Sequence, residues 1–447
     1  NPKLGGSTAW SIGSISATGT PHQARRGIAD NPADHWADMP GFAGELAARD
    51  NDALRRVLCD EVPAAFRWLL DSGVSFMGPM PEPPHRQPRM HNVLPNSRAY
   101  IYHLERRARR CGVEVRVSSR VSSFIVEAGE VKGVNLEGGT SLQASKAVIL
   151  ATGDFTNDPE LKARFMGAQA AKVEGVNATA TGDGQKMAEA LGARILNGDL
   201  ALGPELRFIA PQKETLARRL PPWRALAAFM EWSMDHMPAF LLRPFVMQFL
   251  TTALAPSPAL FEAGAVLVNV RGARFGEERD RPALRVPDQP GKVAYIVIDG
   301  AMAAKFSAWP HFVSTAPGVA YAYIPDYRRN RPDVFTEAGS LLALAGKLGF
   351  SKEELRKSAE KLTRAPFIAL GPLRSVFVHA EGGLEVDLEH RVLGRDGMPI
   401  PGLYAAGATG QGGLLLKGHG HHLAWAFVSG RRAGRLAATR KGASRGD

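Results

Sequence analysis

Alternating and continuous apolar runs predict a sheet in the first third of the chain. Residues 113–137 alternate polar with β-branched positions around a turn at residues 128–130, which is typical of a β-meander. Residues 146–155 follow, and their apolar positions are consecutive up to Leu150, as in a strand buried on both faces of a parallel sheet. The strand pattern stops at the sequence Ala-Thr-Gly. We therefore expect a parallel strand that ends in a glycine turn.

Helical periodicity separates this region from a second strand-rich region near the C-terminus. Residues 97–111 carry apolar positions on one face and are followed by Gly112, which is suited to end a helix. Further helices are predicted at 184–193, 337–348, 351–364 and 423–441, and further strands at 264–270, 294–299, 375–387 and 401–407. Along the chain, a strand-rich region is followed by a mixed section and then by a second strand-rich region. This order is typical of a nucleotide-binding domain with an insertion.

The length of 447 residues predicts two or three domains, because it exceeds what one compact core usually holds. The change of pattern places a nucleotide-binding domain in two parts, at residues 1–202 and 379–447, with a substrate or cap domain at 203–378 between them. The chain begins with Asn1 instead of Met, which indicates a processed product, a fragment or part of a longer chain. The compartment is therefore unknown, with the cytoplasm as the default expectation.

The chain is basic, with a formal net charge of +11 and a pI near 9.8. Such a charge suits an anionic substrate, an anionic membrane surface or nucleic acid. The lysines and arginines are scattered apart from a cluster at residues 106–110 and the tail at residues 431–445, and no zinc-finger spacing, RNP-like motif or basic–aromatic stripe is present. Nucleic acid is therefore not expected as a partner.

The longest apolar stretch, residues 238–261, is interrupted by Arg243 and by prolines, so it does not read as a transmembrane helix. A buried or pocket-lining helix is the first interpretation, and a membrane-facing entrance, hence contact with a membrane surface, is the second. The two cysteines, Cys59 and Cys111, are expected to be unpaired thiols.

Glycines follow apolar strands in three places, at residues 5–8, 151–155 and 405–413, and the strand before the first of these is inferred. Glycine lets the backbone approach a ligand closely, and a helix that starts there directs its N–H groups at the ligand. Open α/β sheets bind ligands at this carboxyl edge of their strands. Three such turns together indicate a ligand-binding site at this edge.

These turns and their neighbours, ATGDF, TATGDGQKMAEALGA, GAVLVNVRGARF, HAEGGLEVD and IPGLYAAGATGQGG, occur in an order that resembles a known flavoprotein superfamily. It contains fumarate reductases, succinate dehydrogenases, L-aspartate oxidases and 3-ketosteroid Δ1-dehydrogenases. The resemblance implies an α/β fold with a Rossmann-like, glutathione-reductase-like FAD-binding domain and an inserted α+β cap domain. The family's first strand–GxGxxG–helix unit, about 35 residues, is not found in this sequence, so we expect that N-terminal unit to be missing here.

The resemblance also implies which residues contact FAD. Those along the pyrophosphate, adenosine and flavin would be Gly5, Gly6, Ser7, Thr8, Gly13, Val121, Ala151, Thr152, Gly153, Asp183, Gly407, Ala408, His422 and Leu423. A helix starting near His422 would direct its positive end at the flavin. The histidine of covalently flavinylated members is not found in residues 5–13, so non-covalent FAD is expected.

On the substrate side, His379 and Lys417 match family positions that bind substrate carboxylates, with a strand histidine and a solvated loop lysine as the structural alternatives. Arg281 is the first candidate for proton transfer and Arg279 the second. Because arginine is almost always protonated, it needs an acidic partner for this role. Glu278 or Asp280 is expected to supply it.

Departures from the family pattern leave the substrate open between an unsaturated acid and a steroid-like ketone. Lys417 stands where an Arg is usual, and the apolar residues 223–261 favour a larger pocket, whereas His379 and Lys417 themselves favour an acid. The reaction implied is hydride transfer between flavin N5 and a CH–CH or C=C bond next to a carbonyl or carboxylate, with an unidentified electron donor or acceptor. The histidines of residues 419–422 are interpreted as flavin contacts or caps, and no metal is expected. The alternative from another class is a flavin-free, truncated subunit that acts as a binding or assembly protein.

Overall fold

A computed structural model describes residues 1–211, 216–316 and 320–440. The first part of the chain forms short helices around one long one. The helices are α1 Gly6–Trp10, α2 Pro21–Arg25, α3 Pro32–Asp38, α4 Pro40–Ala43, α5 Asp52–Ser72, α6 Arg98–Arg110, α7 Pro159–Met166, α8 Ala168–Ala171 and α9 Asp183–Glu189. The strands are β1 Ser14–Ser16, β2 Ser75–Met80, β3 Met90–Leu94, β4 Val121–Glu127, β5 Glu130–Leu136, β6 Ser141–Gln143, β7 Val148–Leu150, β8 Glu174–Gly175, β9 Ile195–Leu196 and β10 Ala201–Leu202.

The middle part alternates helices with antiparallel strands. Its helices are α10 Leu216–Arg219, α11 Arg224–His236, α12 Ala239–Ala253, α13 Ala259–Glu262, α14 Pro282–Arg285, α15 Gly300–Lys305, α16 Ile324–Asn330, α17 Leu341–Leu348 and α18 Lys352–Ser358. Its strands are β11 Glu205–Phe208, β12 Val266–Val268, β13 Ala294–Ile298, β14 Ser314–Ala316, β15 Ala320–Ala322, β16 Phe335–Ala338 and β17 Phe367–Phe377. The last part contains β18 His379–Ala380, β19 Gly383–Leu384, β20 Arg391–Leu393, β21 Pro399–Ala405 and α19 His421–Thr439.

Two large groups of buried apolar side chains, and two small groups of three residues each, hold these elements together. The first core draws its residues from positions 15–150, 188–193 and 384–428, so both ends of the chain contribute to it. The second core lies wholly between Leu206 and Leu373 and surrounds the long strand β17. Strand β17 pairs antiparallel with β11, β13 and β16, and parallel with β8. The inserted section therefore buries its own apolar surface.

In the part of the fold that contains the first core, a small sheet pairs two strands that lie far apart in the sequence, β7 and β21. Strand β7 pairs parallel with β21, with Leu150 opposite Ala405, and β20 lies on the other side of β21. Both β7 and β21 run directly into glycine-containing turns, so the two turns lie at the same edge of the sheet. Helix α19 then packs against α5 and β21.

Most predicted elements are confirmed. The meander is β4–β5–β6, and the helix predicted at 97–111 is α6. The helix predicted from 423 is α19, which begins at His421; its predicted end at residue 441 lies outside the described residues.

Several predictions are wrong in detail. The helix predicted at 351–364 already ends at Ser358, and the strand predicted at 375–387 is divided into the end of β17, β18 and β19. Residues 337–338 belong to strand β16, and the helix α17 begins only at Leu341, because Ser340 caps its first turn. Strand β7 is not buried on both faces: it is an edge strand, and Ile149 is 38% exposed.

Both cysteines are free thiols, as predicted, with Cys59 buried and Cys111 exposed. The stretch at 238–261 forms α12 and α13, and Met247 and Leu250 are buried in the second core. Within the described part of the chain, no helix has the length and apolar character needed to cross a membrane.

Candidate active site

The turns that follow β7 and β21 are hydrogen-bonded to each other, although they lie far apart in sequence. The hydroxyl oxygens of Thr152 and Thr409 are 3.1 Å apart, and the Thr409 hydroxyl donates to the Gly153 carbonyl at 2.9 Å. The Gly407 N–H donates to the Ser429 hydroxyl of α19 at 2.8 Å. The sheet edge, both turns and α19 therefore form one rigid unit.

The turn before α9 joins this unit. The Gln185 side chain donates to the Gly153 carbonyl at 2.8 Å, and a side chain at Gly184 would overlap Thr152. The Asp183 carboxylate pairs with Arg120, 3.2 Å away, directly before Val121 and β4. Residues 121, 151–153, 183 and 407 thus surround one region.

The glycine-rich start of the chain approaches the same region through one contact. The Asn177 side chain donates to the Ser7 hydroxyl at 2.9 Å. Gly5, Gly6 and Thr8 lie in or beside the short helix α1, which carries Ser7 as well. Gly13 instead lies inside the protein: its carbonyl accepts the Tyr100 hydroxyl at 2.9 Å, and a side chain there would overlap Val93.

The residues present fit a dinucleotide cofactor such as FAD at this edge. A Cβ atom built on Gly153 would meet no other atom within 4 Å, so open space lies in front of the turn. Gly153 has a φ of +83°, a conformation that glycine adopts at little steric cost. Helix α19 begins at His421, and no side chain of its N-cap residue Gly420 caps the first N–H groups, which leaves the positive end of its dipole beside His422 and Leu423.

Next to the α19 start, a buried carboxylate gathers three candidate cations. Glu381, in the turn after β18, is fully buried. Its Oε1 atom is 3.4 Å from Lys417 Nζ and 3.7 Å from a ring nitrogen of both His379 and His422. The two imidazole rings are in contact, with centroids 3.7 Å apart. We call His379, Glu381, Lys417 and His422 the Glu381 cluster.

The two oxygens of Glu381 differ in their surroundings. Oε2 accepts the Gln411 side chain at 2.6 Å and the Leu416 N–H at 3.2 Å. Oε1 has no hydrogen-bond partner among the described residues and faces the three nitrogens at ion-pair distances. One oxygen therefore anchors the carboxylate, and the other supplies its charge to the cations.

Burial and charge set the protonation of the cluster. Burial alone would raise the pKa of Glu381, but His422 and His379 outweigh it and lower that pKa below its ordinary value. Burial, with help from the His422 charge, lowers the pKa of His379. Asp154, buried beside this strand, has its pKa raised by burial, although Thr156 donates to it at 2.8 Å. A neutral His379 next to an ionised Glu381 can accept a proton, and Glu381 offsets part of the cost that burial and His422 place on its cationic form.

Several predicted residues meet here, and two do not. His379, Lys417 and His422 share the cluster, and the Ala408 carbonyl lies against Gly383 just beyond it. Arg279 and Arg281 lie on the exposed segment before α14, and among the described residues neither forms an ion pair or hydrogen bond with the cluster.

The acidic partners expected for these arginines are engaged elsewhere. Glu278 pairs with Arg274 at 2.5 Å, and Asp280 pairs with Arg285. Among the described residues, the predicted coupling of Arg279 or Arg281 to Glu278 or Asp280 is therefore not formed.

Sequence reasoning missed Glu381 itself, together with Asp154 and Gln411. The signal was present, because a glutamate between His379 and two glycines is an unusual charge within an otherwise apolar strand pattern. Its significance depends on Lys417 and His422, which only the folded chain brings to it.

Comparison with known proteins assigns these features to a family. A family model described as an FAD binding domain matches residues 1–216 and 243–415. A probable fumarate reductase of Shewanella frigidimarina is 25% identical over 463 residues, which cover 98% of this chain and 69% of that protein. A KsdD-like steroid dehydrogenase of Mycolicibacterium smegmatis is 25% identical over 493 residues, covering 93% of this chain and 88% of that protein.

A solved structure agrees at the level of the fold. The open conformation of a flavocytochrome c3 fumarate reductase matches with a TM-score of 0.70 at 22% sequence identity. The match covers 98% of this chain and 72% of that one. The chain therefore has the mixed α/β fold of an FAD-binding flavoenzyme.

Proposed function

This chain belongs to the family defined by the FAD binding domain and is an FAD-dependent oxidoreductase, and we propose that its substrate is a neutral ketone. The reaction we propose is hydride transfer at a CH–CH or C=C bond next to the ketone carbonyl. The observation that carries this proposal is the buried charge of Glu381 among His379, Lys417 and His422. Bound FAD would supply hydride chemistry at N5 of its ring.

The position of Glu381 argues against a small dicarboxylate. The residues that would bind a substrate carboxylate already surround an internal one, and Lys417 Nζ is 3.4 Å from it. A second carboxylate would meet a like charge in a poorly solvated site and would have to compete for the same cations. A ketone oxygen accepts a hydrogen bond without adding charge.

The cluster supplies the proton chemistry that a ketone requires. The Lys417 ammonium would donate to the carbonyl oxygen and so acidify the neighbouring carbon. Neutral His379 would take the proton from that carbon during oxidation and return it during reduction. Glu381 would hold the ring and stabilise its cationic form, as the buried carboxylate of a catalytic triad does.

The roles of the remaining residues follow from their placement. Gly5, Gly6, Ser7, Thr8, Val121, Ala151, Thr152, Gly153, Asp183, Gly407, Ala408 and Leu423 are proposed to line the non-covalent FAD site, with Gly13 supporting it from inside. The hydrogen-bonded turns after two parallel strands support a Rossmann-like arrangement. The exposed edge of β7 is where a further strand with its glycine turn would pair. Residues 203–378, with their own core, are proposed to be the cap domain.

Contact with a membrane surface is proposed through α11. Phe229 and Trp232 on this helix are 58% and 51% exposed, and their rings stack with centroids 6.1 Å apart. Exposed aromatic rings on a basic protein suit the interface of an anionic bilayer. Co-sedimentation with phosphatidylserine vesicles, compared with phosphatidylcholine vesicles, tests this contact.

Anaerobic titration tests the proposed reaction. The reduced holoprotein would be mixed separately with fumarate, a cinnamate-like acid and a 4-en-3-one steroid, and the return of oxidised flavin absorbance would be followed. We expect the enone to reoxidise the flavin and fumarate to leave it reduced. Reoxidation by fumarate alone would reverse the substrate assignment. A purified protein that remains colourless with added FAD would favour a binding or assembly protein instead.

A further inference from the structure

The loop that carries Lys417 depends on side-chain contacts for its shape. It leads from Leu416 to the start of α19 and contains Gly418 and Gly420, whose φ values are +86° and +90°. Glycine has access to many backbone conformations, so neighbouring groups must select the one that the loop adopts. Because Lys417 is proposed to polarise the substrate carbonyl, the shape of this loop affects the proposed reaction.

The ring of His421 closes this loop. Its Nδ1 atom lies 2.5 Å from the Lys417 carbonyl oxygen. Because a carbonyl oxygen only accepts hydrogen bonds, Nδ1 carries the proton and donates it. Burial lowers the pKa of His421 to about 4, so the ring is neutral at physiological pH and its other nitrogen, Nε2, is bare. The backbone of Lys417 is thus held by an imidazole in one defined tautomer.

A buried histidine from a distant helix completes this arrangement. The Nε2 atom of His35, on α3, lies 3.3 Å from Nε2 of His421. Since that His421 nitrogen has no proton, the His35 nitrogen must donate to it. Burial lowers the pKa of His35 as well, so both rings are neutral. One imidazole therefore orients another, which in turn holds the Lys417 backbone.

Helix α3 gives His35 a rigid support. Asp38, one turn further along this helix, pairs with Arg89 at 2.5 Å and with Arg86 at 2.7 Å. Arg89 also pairs with Asp30 at 2.7 Å, and both of these side chains are fully buried. Charge-assisted hydrogen bonds that form a buried network hold their partners in one geometry. A group on α3 therefore keeps its position relative to the rest of the fold.

We propose that His35 is a positioning residue for Lys417. The His35 N–H orients the ring of His421, and this ring fixes the Lys417 carbonyl, so that the loop presents Lys417 Nζ at 3.4 Å from Glu381. Among the described residues, His35 forms no ion pair or hydrogen bond with the Glu381 cluster, so it acts only through His421. The inference rests on the role proposed above for Lys417.

The protonation of the two rings in the wild-type holoprotein tests the first step. In protein that contains histidine labelled with nitrogen-15, chemical shifts distinguish protonated from bare ring nitrogens. The signals of each ring are identified by their loss in His421→Gln and in His35→Gln. We expect His421 to carry its proton on Nδ1 and His35 on Nε2. A His421 ring protonated on Nε2, alone or together with Nδ1, would overturn the proposal, whether or not the protein acts on a ketone.

Kinetics of matched variants test the second step. His35→Met removes the N–H donor at similar volume, whereas His35→Gln keeps an N–H near the position of Nε2. We expect kcat to fall about tenfold in His35→Met with KM changed less than about twofold, and His35→Gln to recover most of the loss. The control is His91→Met, which removes another fully buried, hydrogen-bonded imidazole and should destabilise the fold without changing kcat.

These rates would be measured with whichever of fumarate, the cinnamate-like acid and the enone reoxidises the wild-type flavin, so an incorrect ketone assignment leaves the comparison intact. Melting curves identify the variants that fold, and the nitrogen shifts of the wild type need no variant that turns over. Wild-type kcat in a folded His35→Met, or an equal loss in His35→Gln, would contradict the positioning role. A loss of the same size in His91→Met would do so too, because it would reflect general destabilisation.

Discussion

At the scale of single residues, Gly153 is where a side chain would enter the proposed cofactor site most directly. The space in front of it is open, but its φ of +83° strains any residue with a side chain. A substitution there therefore needs a control that carries the same strain. Gly139 has a φ of +88° and equally open surroundings, but it lies in the turn between β5 and β6. Both Ala variants carry the same backbone strain, about 1–2 kcal/mol.

We expect Gly153→Ala to weaken FAD binding about tenfold or more, because its methyl group occupies the space next to the bound cofactor. Gly139→Ala should lower the free energy of unfolding about as much as Gly153→Ala does, and it should leave FAD affinity unchanged. Fluorescence titration of the apoproteins with FAD measures both affinities. Equal affinity in the two variants would move the cofactor away from this turn.

Glu381 is the residue on which the proposed chemistry depends. Glu381→Gln keeps its shape and the anchoring of one oxygen but removes the charge that stabilises a protonated His379. We expect kcat to fall about 100-fold, a usual contribution of acid–base machinery, with a much smaller change in KM. Flavin reduction by ketone, followed by stopped-flow absorbance, measures the loss.

The control for this variant is Glu389→Gln, which removes an exposed glutamate from the same part of the chain. It should keep full activity. Partial recovery in Glu381→Asp would show that charge matters, and not merely the packing of the turn. If Glu381→Gln reacts at the wild-type rate, the histidine works without its carboxylate.

At the scale of elements, local sequence patterns predicted most helices and strands because their signals lie within a few residues. The Ser351 cap, the Gly112 end of α6 and the meander turn at residues 128–130 are signals of this kind. The exposed face of β7 was not predictable, since a continuous apolar strand reads the same at the edge or in the centre of a sheet. Only the pairing of strands decides between them.

Helix α7 contains a buried lysine, Lys162, that packs against the end of strand β17. No local sequence pattern indicates its burial. The Lys162 ammonium donates to the Val173 carbonyl and lies 5.5 Å from the Phe377 ring centroid. Burial lowers its pKa from 10.5 to about 8. The unfolded chain therefore holds this proton more tightly, so the free energy of unfolding should rise as pH increases from about 8 to about 10.5.

Lys162→Met removes this penalty at neutral pH. The shift corresponds to about 3 kcal/mol, less about 1 kcal/mol for the lost hydrogen bond, so we expect the variant to be more stable at pH 7. Its advantage should shrink as the pH approaches 10. Urea unfolding at both pH values measures the difference, with Lys172→Met, which removes an exposed pair with Asp288, as control. A constant difference would mean that Lys162 titrates normally.

At the scale of the whole molecule, the sequence predicted that glycine turns would meet at one sheet edge but not how the site is completed. The contact between Thr152 and Thr409 joins residues 257 positions apart, and the pairing of Glu381 with Lys417 needs a strand end and a loop to converge. The acidic residues assigned to Arg279 and Arg281 failed for a different reason. They pair with Arg274 and Arg285, which are equally close in sequence, and the sequence does not show which neighbouring arginine each carboxylate meets.

The separation of the two cores predicts two unfolding events. The two cores share no residue, although α11 packs on β2 and β3 of the first part, so we expect each core to lose its packing while the other persists. FAD is proposed to contact mainly the part that contains the first core, so added FAD should raise the melting temperature of that transition alone. Calorimetry with and without FAD would resolve the two transitions.

Core variants identify which transition belongs to which part. Ile296→Ala truncates a fully buried side chain of the second core, and Leu69→Ala does the same in the first. Each should destabilise its own transition by about 2–5 kcal/mol, because the surrounding side chains cannot fill the cavity, and should barely move the other. FAD should then still stabilise the first transition in Ile296→Ala. A single transition that both variants and FAD shift together would mean that the insertion and the cofactor-binding part unfold as one unit, with coupling carried through β10, β18 and the Glu381 cluster.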